Sequence, residues 1–192
     1  MKSYFQRLLK ILNHSLMSLD DDKFTKLIDD CEATLRNGGK IITSGLGKNV
    51  PVCEKFVGTM NSLGMASSFM NTNSAAHGDI GMVKDDDLVI LLTKSGETAE
   101  SIYLYHHLKK RKCKIWLLTF HAESTLTNLI EDAIIVDLED EGDMWNIVPN
   151  NSTTLNLIIL QMLCIRLSKR LNITLEEFKN NHPGGYIGEI LK

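Results

Sequence analysis

Thr93-Lys94-Ser95-Gly96-Glu97-Thr98 puts three hydroxyls, a glycine and free backbone N–H groups within six residues. An apolar run, Leu88 to Leu92, stops abruptly before it, and a helical pattern begins near Ala99. A strand, a hydroxyl-rich turn and a helix N-terminus in that order suit a phosphate dianion. The turn N–H groups and the positive helix end attract it, and Ser and Thr hydroxyls donate to its oxygens. No strongly basic cluster accompanies the turn, so neutral donors do most of the holding. The expected ligand is a small phosphorylated metabolite, with Thr93, Ser95, Gly96 and Thr98 as contacts.

A second turn, Ser44-Gly45-Leu46-Gly47-Lys48, also follows a short apolar strand. It resembles part of a dinucleotide fingerprint, but Val50 stands where the third glycine belongs, and no ribose-binding acid occurs near Met65–Met70. A nicotinamide or flavin cofactor is therefore disfavoured, and no G-x-x-x-x-G-K-[ST] phosphate loop exists. Gly45 and Gly47 let backbone approach a sugar phosphate. Lys48 is either a surface lysine or a cation for the phosphate or an enediolate oxygen.

Two histidines sit in loops with unusual company: His77-Gly78-Asp79 and Asn181-His182-Pro183-Gly184-Gly185. Paired glycines are entropically costly unless an unusual backbone is needed. Imidazole titrates near neutrality, so either histidine can exchange a carbon-bound proton. Glu97 and Glu100 bracket the start of the helix after the first turn, where helix-dipole complementation is the simpler role. Glu141 lies in an acidic loop after the last strand. Asn150-Asn151-Ser152-Thr153-Thr154 reads as the cap of a long helix. Asp85-Asp86-Asp87 reads as a solvated turn. No His, Cys or carboxylate set has metal-ligand spacing, so no metal is expected.

These residues need a scaffold. Residues 1–37 read as two helices, with Ser18-Leu19-Asp20-Asp21 as the break between them and Asn37-Gly38-Gly39 as the stop. Strands are expected at 40–43, 65–70, 88–92, 114–119 and 133–136. Helices are expected at 52–63, 99–112, 124–130 and 153–171, with a last one starting at Leu175. Residues 71–79 read as a polar loop. Strands alternating with helices predict a three-layer αβα sandwich around a five-stranded parallel sheet, one domain over 1–192 with a helical N-terminal segment. Such a sheet binds ligands beyond the carboxyl ends of its strands, where both turns fall.

A formal charge of -3 and dispersed basic residues do not propose nucleic acid. No apolar stretch reaches the ~18–20 residues that span a bilayer, and the N-terminus lacks a signal-peptide pattern, so the expected compartment is the cytoplasm. Cys31, Cys53, Cys113 and Cys164 are far apart and read as small buried side chains.

Together these motifs resemble the sugar isomerase (SIS) domain and, within it, the D-arabinose 5-phosphate isomerases. The narrower resemblance rests on Gly45-Leu46-Gly47-Lys48, Ala76-His77-Gly78-Asp79-Ile80-Gly81-Met82, Pro149 with Ser152-Thr153-Thr154, and His182-Pro183-Gly184-Gly185. It implies a flavodoxin-like SIS fold and a cofactor-independent isomerisation of D-arabinose 5-phosphate and D-ribulose 5-phosphate that feeds Kdo synthesis for lipopolysaccharide or capsule. It places the phosphate on Ser44, Ser95, Thr98 and neighbouring groups, and the catalytic residues on Lys48, His77, Glu100, Glu141 and His182. It implies a homotetramer with sites at subunit contacts, so that His182 serves a neighbour's pocket, and a catalytic half without the regulatory CBS pair. The alternatives are an isomerase of another ketose phosphate and a non-catalytic phosphosugar sensor.

Overall fold

Leu88-Val89-Ile90-Leu91-Leu92 is buried along its whole length, as a strand covered on both faces must be. The computed structural model describes residues 1–190; Leu191 and Lys192, included in the expected domain, lie outside the described residues. β1 (Ile41–Gly45), β2 (Ser67–Asn71), β3 (Leu88–Leu92), β4 (Lys114–Thr119) and β5 (Ala133–Ile135) pair in parallel, in the order β2-β1-β3-β4-β5.

The helices are α1 (Lys2–Met17), α2 (Asp21–Arg36), α3 (Asn49–Ser62), α4 (Thr72–Ala75), α5 (Ala99–Leu108), α6 (Thr125–Leu129), α7 (Asn151–Arg170), α8 (Leu175–Asn180) and α9 (Gly185–Ile190). Alternate strand residues feed two cores. Leu88, Ile90 and Leu92 pack with Phe56 and Met60 of α3 and with Leu155, Ile159 and Leu163 of α7. Val89 and Leu91 pack with Leu104 and Leu108 of α5 and Leu126 of α6. The helices after β1 and β3 thus cover opposite faces. That divergence opens a crevice between the two strand ends, the topological switch point where flavodoxin-like sheets take ligands.

The expected fold is found, with local differences. The segment read as a loop at 71–79 contains α4, and a 3-10 turn follows at Asp79–Met82. A four-residue helix is too short to show a period, and Asn71 starts it by accepting from the Asn73 N–H at 3.0 Å. The helix α9 lies beyond the last one expected and starts at Gly185, in the glycine pair read as entropically costly. Asp87 is not solvated: it is buried and accepts from Lys40 N, Lys84 N and Lys40 Nζ at 2.9, 2.7 and 2.8 Å. It seals the entry to β1 and β3. All four cysteines are free and buried, and burial pushes the Cys53 and Cys164 thiols up to about 12.

Candidate active site

The turn after β3 is fastened from several sides. Thr93 Oγ1 lies 3.1 Å from Thr98 Oγ1 and accepts from Gly96 N at 3.3 Å, and Ser95 Oγ accepts from Glu97 N at 3.1 Å. Gly96 adopts φ +69°, and a Cβ there would stand 2.0 Å from Ser124 Oγ. Only glycine meets both conditions. The Lys94 carbonyl accepts from Thr119 Oγ1 and Phe120 N, each at 3.1 Å. Glu97 does not complement the dipole of α5; it accepts from Thr125 N at 2.6 Å and Thr125 Oγ1 at 2.7 Å, capping α6 instead. Those two donors hold its carboxyl below the ordinary carboxylate value.

Beside it, at the end of β1, Ser44 is buried with its Oγ 2.9 Å from Thr72 Oγ1. Gly45 follows, where a Cβ would stand 2.9 Å from Asn49 Cβ, so the small residue lets α3 start close against the strand. Thr72 belongs to the segment read as a loop, and its position just after β2, at the same sheet edge, is its only signal in the sequence.

His77 and Glu100 line one cleft of about 520 Å³ with Thr72, Asn73 and Tyr103. Lys48 lines another, of about 230 Å³, with Lys94, Asn49, Ser152 and Asn156. In the sequence Lys94 reads as part of the turn and not as a site residue. Only the fold brings it to the cleft that Lys48 lines.

Glu141 is 0% exposed. It accepts from Asn150 N (3.0 Å), Ser152 N (2.9 Å) and Ser152 Oγ (2.6 Å), and pairs with Lys94 Nζ at 2.7 Å. Burial alone would raise its carboxyl, but the Lys94, Ser152 and Asn150 donors outweigh that and hold it below the ordinary value. The expected cap of α7 is therefore corrected: Asn150 makes no side-chain cap bond, and Glu141 satisfies the helix N-terminus.

His182 stands elsewhere. Its Nε2 lies 2.8 Å from Ser62 Oγ and its Nδ1 2.7 Å from the Phe178 carbonyl oxygen, at the C-terminal end of α3. Asn49, at the other end of α3, donates to the Leu92 carbonyl at 3.4 Å. A helix of that length is about 20 Å long. Within one chain, then, Ser44, Thr93, Ser95, Thr98, Lys48, His77, Glu100 and Glu141 lie at one sheet edge and His182 at the other. Among the described residues, no helix is long and apolar enough to cross a membrane.

The parallel sheet of order 2-1-3-4-5, with its hydroxyl-bearing turns at the switch point, defines a flavodoxin-like α/β ligand-binding domain. The SIS domain model matches residues 34–166, and the chain belongs to the SIS-domain family. It is 34% identical over 177 residues to the arabinose 5-phosphate isomerase KdsD of Pseudomonas aeruginosa, covering 92% of this chain and 53% of that one. The arabinose 5-phosphate isomerase KdsD of Yersinia pestis is 30% identical over 186 residues, covering 97% and 57%. The chain spans about half the length of the relatives it matches. The structure of an E. coli CFT073 protein in complex with arabinose 5-phosphate superposes with a TM-score of 0.88, at 30% identity and 95% coverage of each chain.

Proposed function

We propose that the chain is a phosphosugar aldose–ketose isomerase, with D-arabinose 5-phosphate and D-ribulose 5-phosphate as its substrate pair. The observation that carries this reading is the meeting, at one sheet edge, of the anchored hydroxyl turn 93–98 with the His77–Glu100 cleft. The names of the P. aeruginosa and Y. pestis relatives, and the arabinose 5-phosphate complex of the E. coli protein, supply the sugar.

In this account Ser44, Thr93, Ser95, Thr98 and the N–H groups near Gly45 and Gly96 hold the phosphate. The ring opens, a base takes the proton from C2, and an enediolate forms with its charge on O1. A proton then passes from O2 to O1, and C1 takes a proton from the base as O2 becomes the ketone oxygen. His77 is the base candidate within the chain. Glu100 shuttles hydroxyl protons, and Lys48 stabilises negative charge on the enediolate. His182 serves the pocket of another subunit, which its position at the far end of α3 supports. Exposed Phe5 and Leu9 on α1 and Met162 and Ile165 on α7 offer apolar surface for a homotetramer. We place the enzyme in the cytoplasm, feeding Kdo synthesis, with residues 1–192 as one catalytic domain.

A panel of phosphorylated aldoses and ketoses tests the reading. Turnover restricted to the arabinose–ribulose pair supports it. Binding without turnover across the panel makes the chain a phosphosugar sensor.

A further inference from the structure

Lys48 and Lys94 come from turns that are 46 residues apart in sequence, yet both line the cleft of about 230 Å³. A sequence without a basic cluster thus brings two lysines to one cleft by folding. Lys94 is prepared for a ligand in three ways. Its backbone is pinned by Thr119 and Phe120 through its carbonyl oxygen. Its ammonium rests on Glu141 Oε1 at 2.7 Å while the side chain stays 38% exposed. An ammonium has three donors, so one bond to Glu141 leaves others for an anion in the cleft.

Glu141, by contrast, has little left to offer. Ser152 Oγ and Lys94 Nζ occupy Oε1, and Asn150 N and Ser152 N occupy Oε2. A fully buried carboxylate with four donors is a poor proton carrier but a rigid anchor for the one cation it holds. Asn156 lines the same cleft, and among the described residues its buried Oδ1 has no partner. Its Nδ2 is committed to Asn49 Oδ1 at 3.0 Å.

We propose that Lys94 is a ligand-binding residue that supplies cationic charge to the phosphate of the substrate, and that Glu141 is a positioning residue that acts through Lys94. This rests on the phosphosugar reading, and gives Glu141, which the family resemblance counts among the catalytic residues, an anchoring part instead.

The test measures inorganic phosphate binding to the full chain by isothermal titration calorimetry, which needs no turnover. Loss of a charge-assisted contact weakens binding on the order of tenfold or more. Lys94→Met is expected to do this, and Lys94→Arg to recover part of it. Lys94→Met binding phosphate within about twofold of the parent overturns the assignment, leaving Lys94 as a counter-ion for Glu141 alone. Glu141→Gln is then compared in both backgrounds. If Glu141 acts through Lys94, it weakens phosphate binding in the parent but adds less than about twofold in the Lys94→Met protein. Additive losses overturn the positioning role. Should Glu141→Gln fail to fold, the half-exposed Lys94 variants still decide the ligand contact. An inactive chain whose phosphate affinity nevertheless depends on Lys94 would sink the isomerase reading and keep this one.

Discussion

The imidazole of His182 is bonded to Ser62, Nε2 to Oγ at 2.8 Å, at the end of α3 that points away from the ligand edge. The ring also stacks on Phe178, with centroids 4.1 Å apart. Its orientation is therefore set before any partner arrives, with a length of α3 separating it from Ser44 and Thr93 of its own chain. From this placement comes the proposal that His182 serves the pocket of another subunit.

Mixing variants tests this. His182→Ala and Lys48→Ala are each expected to lose nearly all turnover while still binding sugar phosphate. Unfolding and refolding the two together should restore measurable activity, because some pockets then receive both intact residues. Absence of any recovery from a well-folded mixed oligomer contradicts action across subunits. His77→Ala tests the base directly: retained turnover there and in His182→Ala would remove both histidines from the proton transfer.

Gly96→Ala should damage fold and function together. The new Cβ would meet Ser124 Oγ and Cβ at 2.0 and 2.6 Å, on a backbone at φ +69°. Overpacking and left-handed strain together cost roughly 2–4 kcal/mol. Thermal melting should show the loss, whereas Gly47→Ala, with φ +56° but open space around it, should lose less.

Much of this was legible in the residues. Leu88–Leu92 declared a strand by apolar continuity alone, and Asp20 does cap α2, accepting from Lys23 N at 2.9 Å. Both signals are local. What stayed hidden depends on distant partners. Asp87 is adjacent to two exposed acids in sequence, and only its pairing with Lys40 across the sheet edge buries it. Glu97 caps α6 rather than its own helix, and Glu141 caps α7 across the acidic loop. Lys48 and Lys94 share a cleft because β1 and β3 are neighbours, which no spacing reveals.

Acid should unfold the protein through its buried carboxylates. Burial pushes the Asp87 carboxyl up, but the Lys40 ammonium and the Lys84 and Lys40 N–H groups outweigh it and hold it below the ordinary 3.8. A carboxyl depressed in the folded state stabilises above its unfolded value and loses that contribution as pH falls through the folded one. Denaturation free energy should hold steady from neutral pH toward 4.5 and fall below 3.8, the ordinary glutamate and aspartate values. Asp87→Asn should cost roughly 2–3 kcal/mol at neutral pH and flatten the acid limb. An unchanged limb would deny Asp87 this role.

Glu97 should govern the turn without touching the reacting carbons. Removing its two bonds to Thr125 loosens turn 93–98 from α6. Glu97→Ala is expected to raise KM for the sugar phosphate on the order of fivefold with kcat little changed. Thr125→Val should do the same, and the double variant should be no worse than either alone. A fall in kcat at constant KM would place Glu97 in the chemistry instead.

The most direct test of the account is conversion of D-arabinose 5-phosphate by the purified chain in D₂O, with product followed by NMR. Proton-transfer isomerisation predicts ribulose 5-phosphate carrying solvent deuterium at C1, in full or in part according to how well the base shields its proton. Turnover with no deuterium at C1 even after prolonged equilibration, when repeated reversals give a shielded base every chance to exchange, would point to hydride transfer and contradict the enediolate route. No turnover at all, with the sugar phosphate still bound, would contradict isomerisation of this sugar.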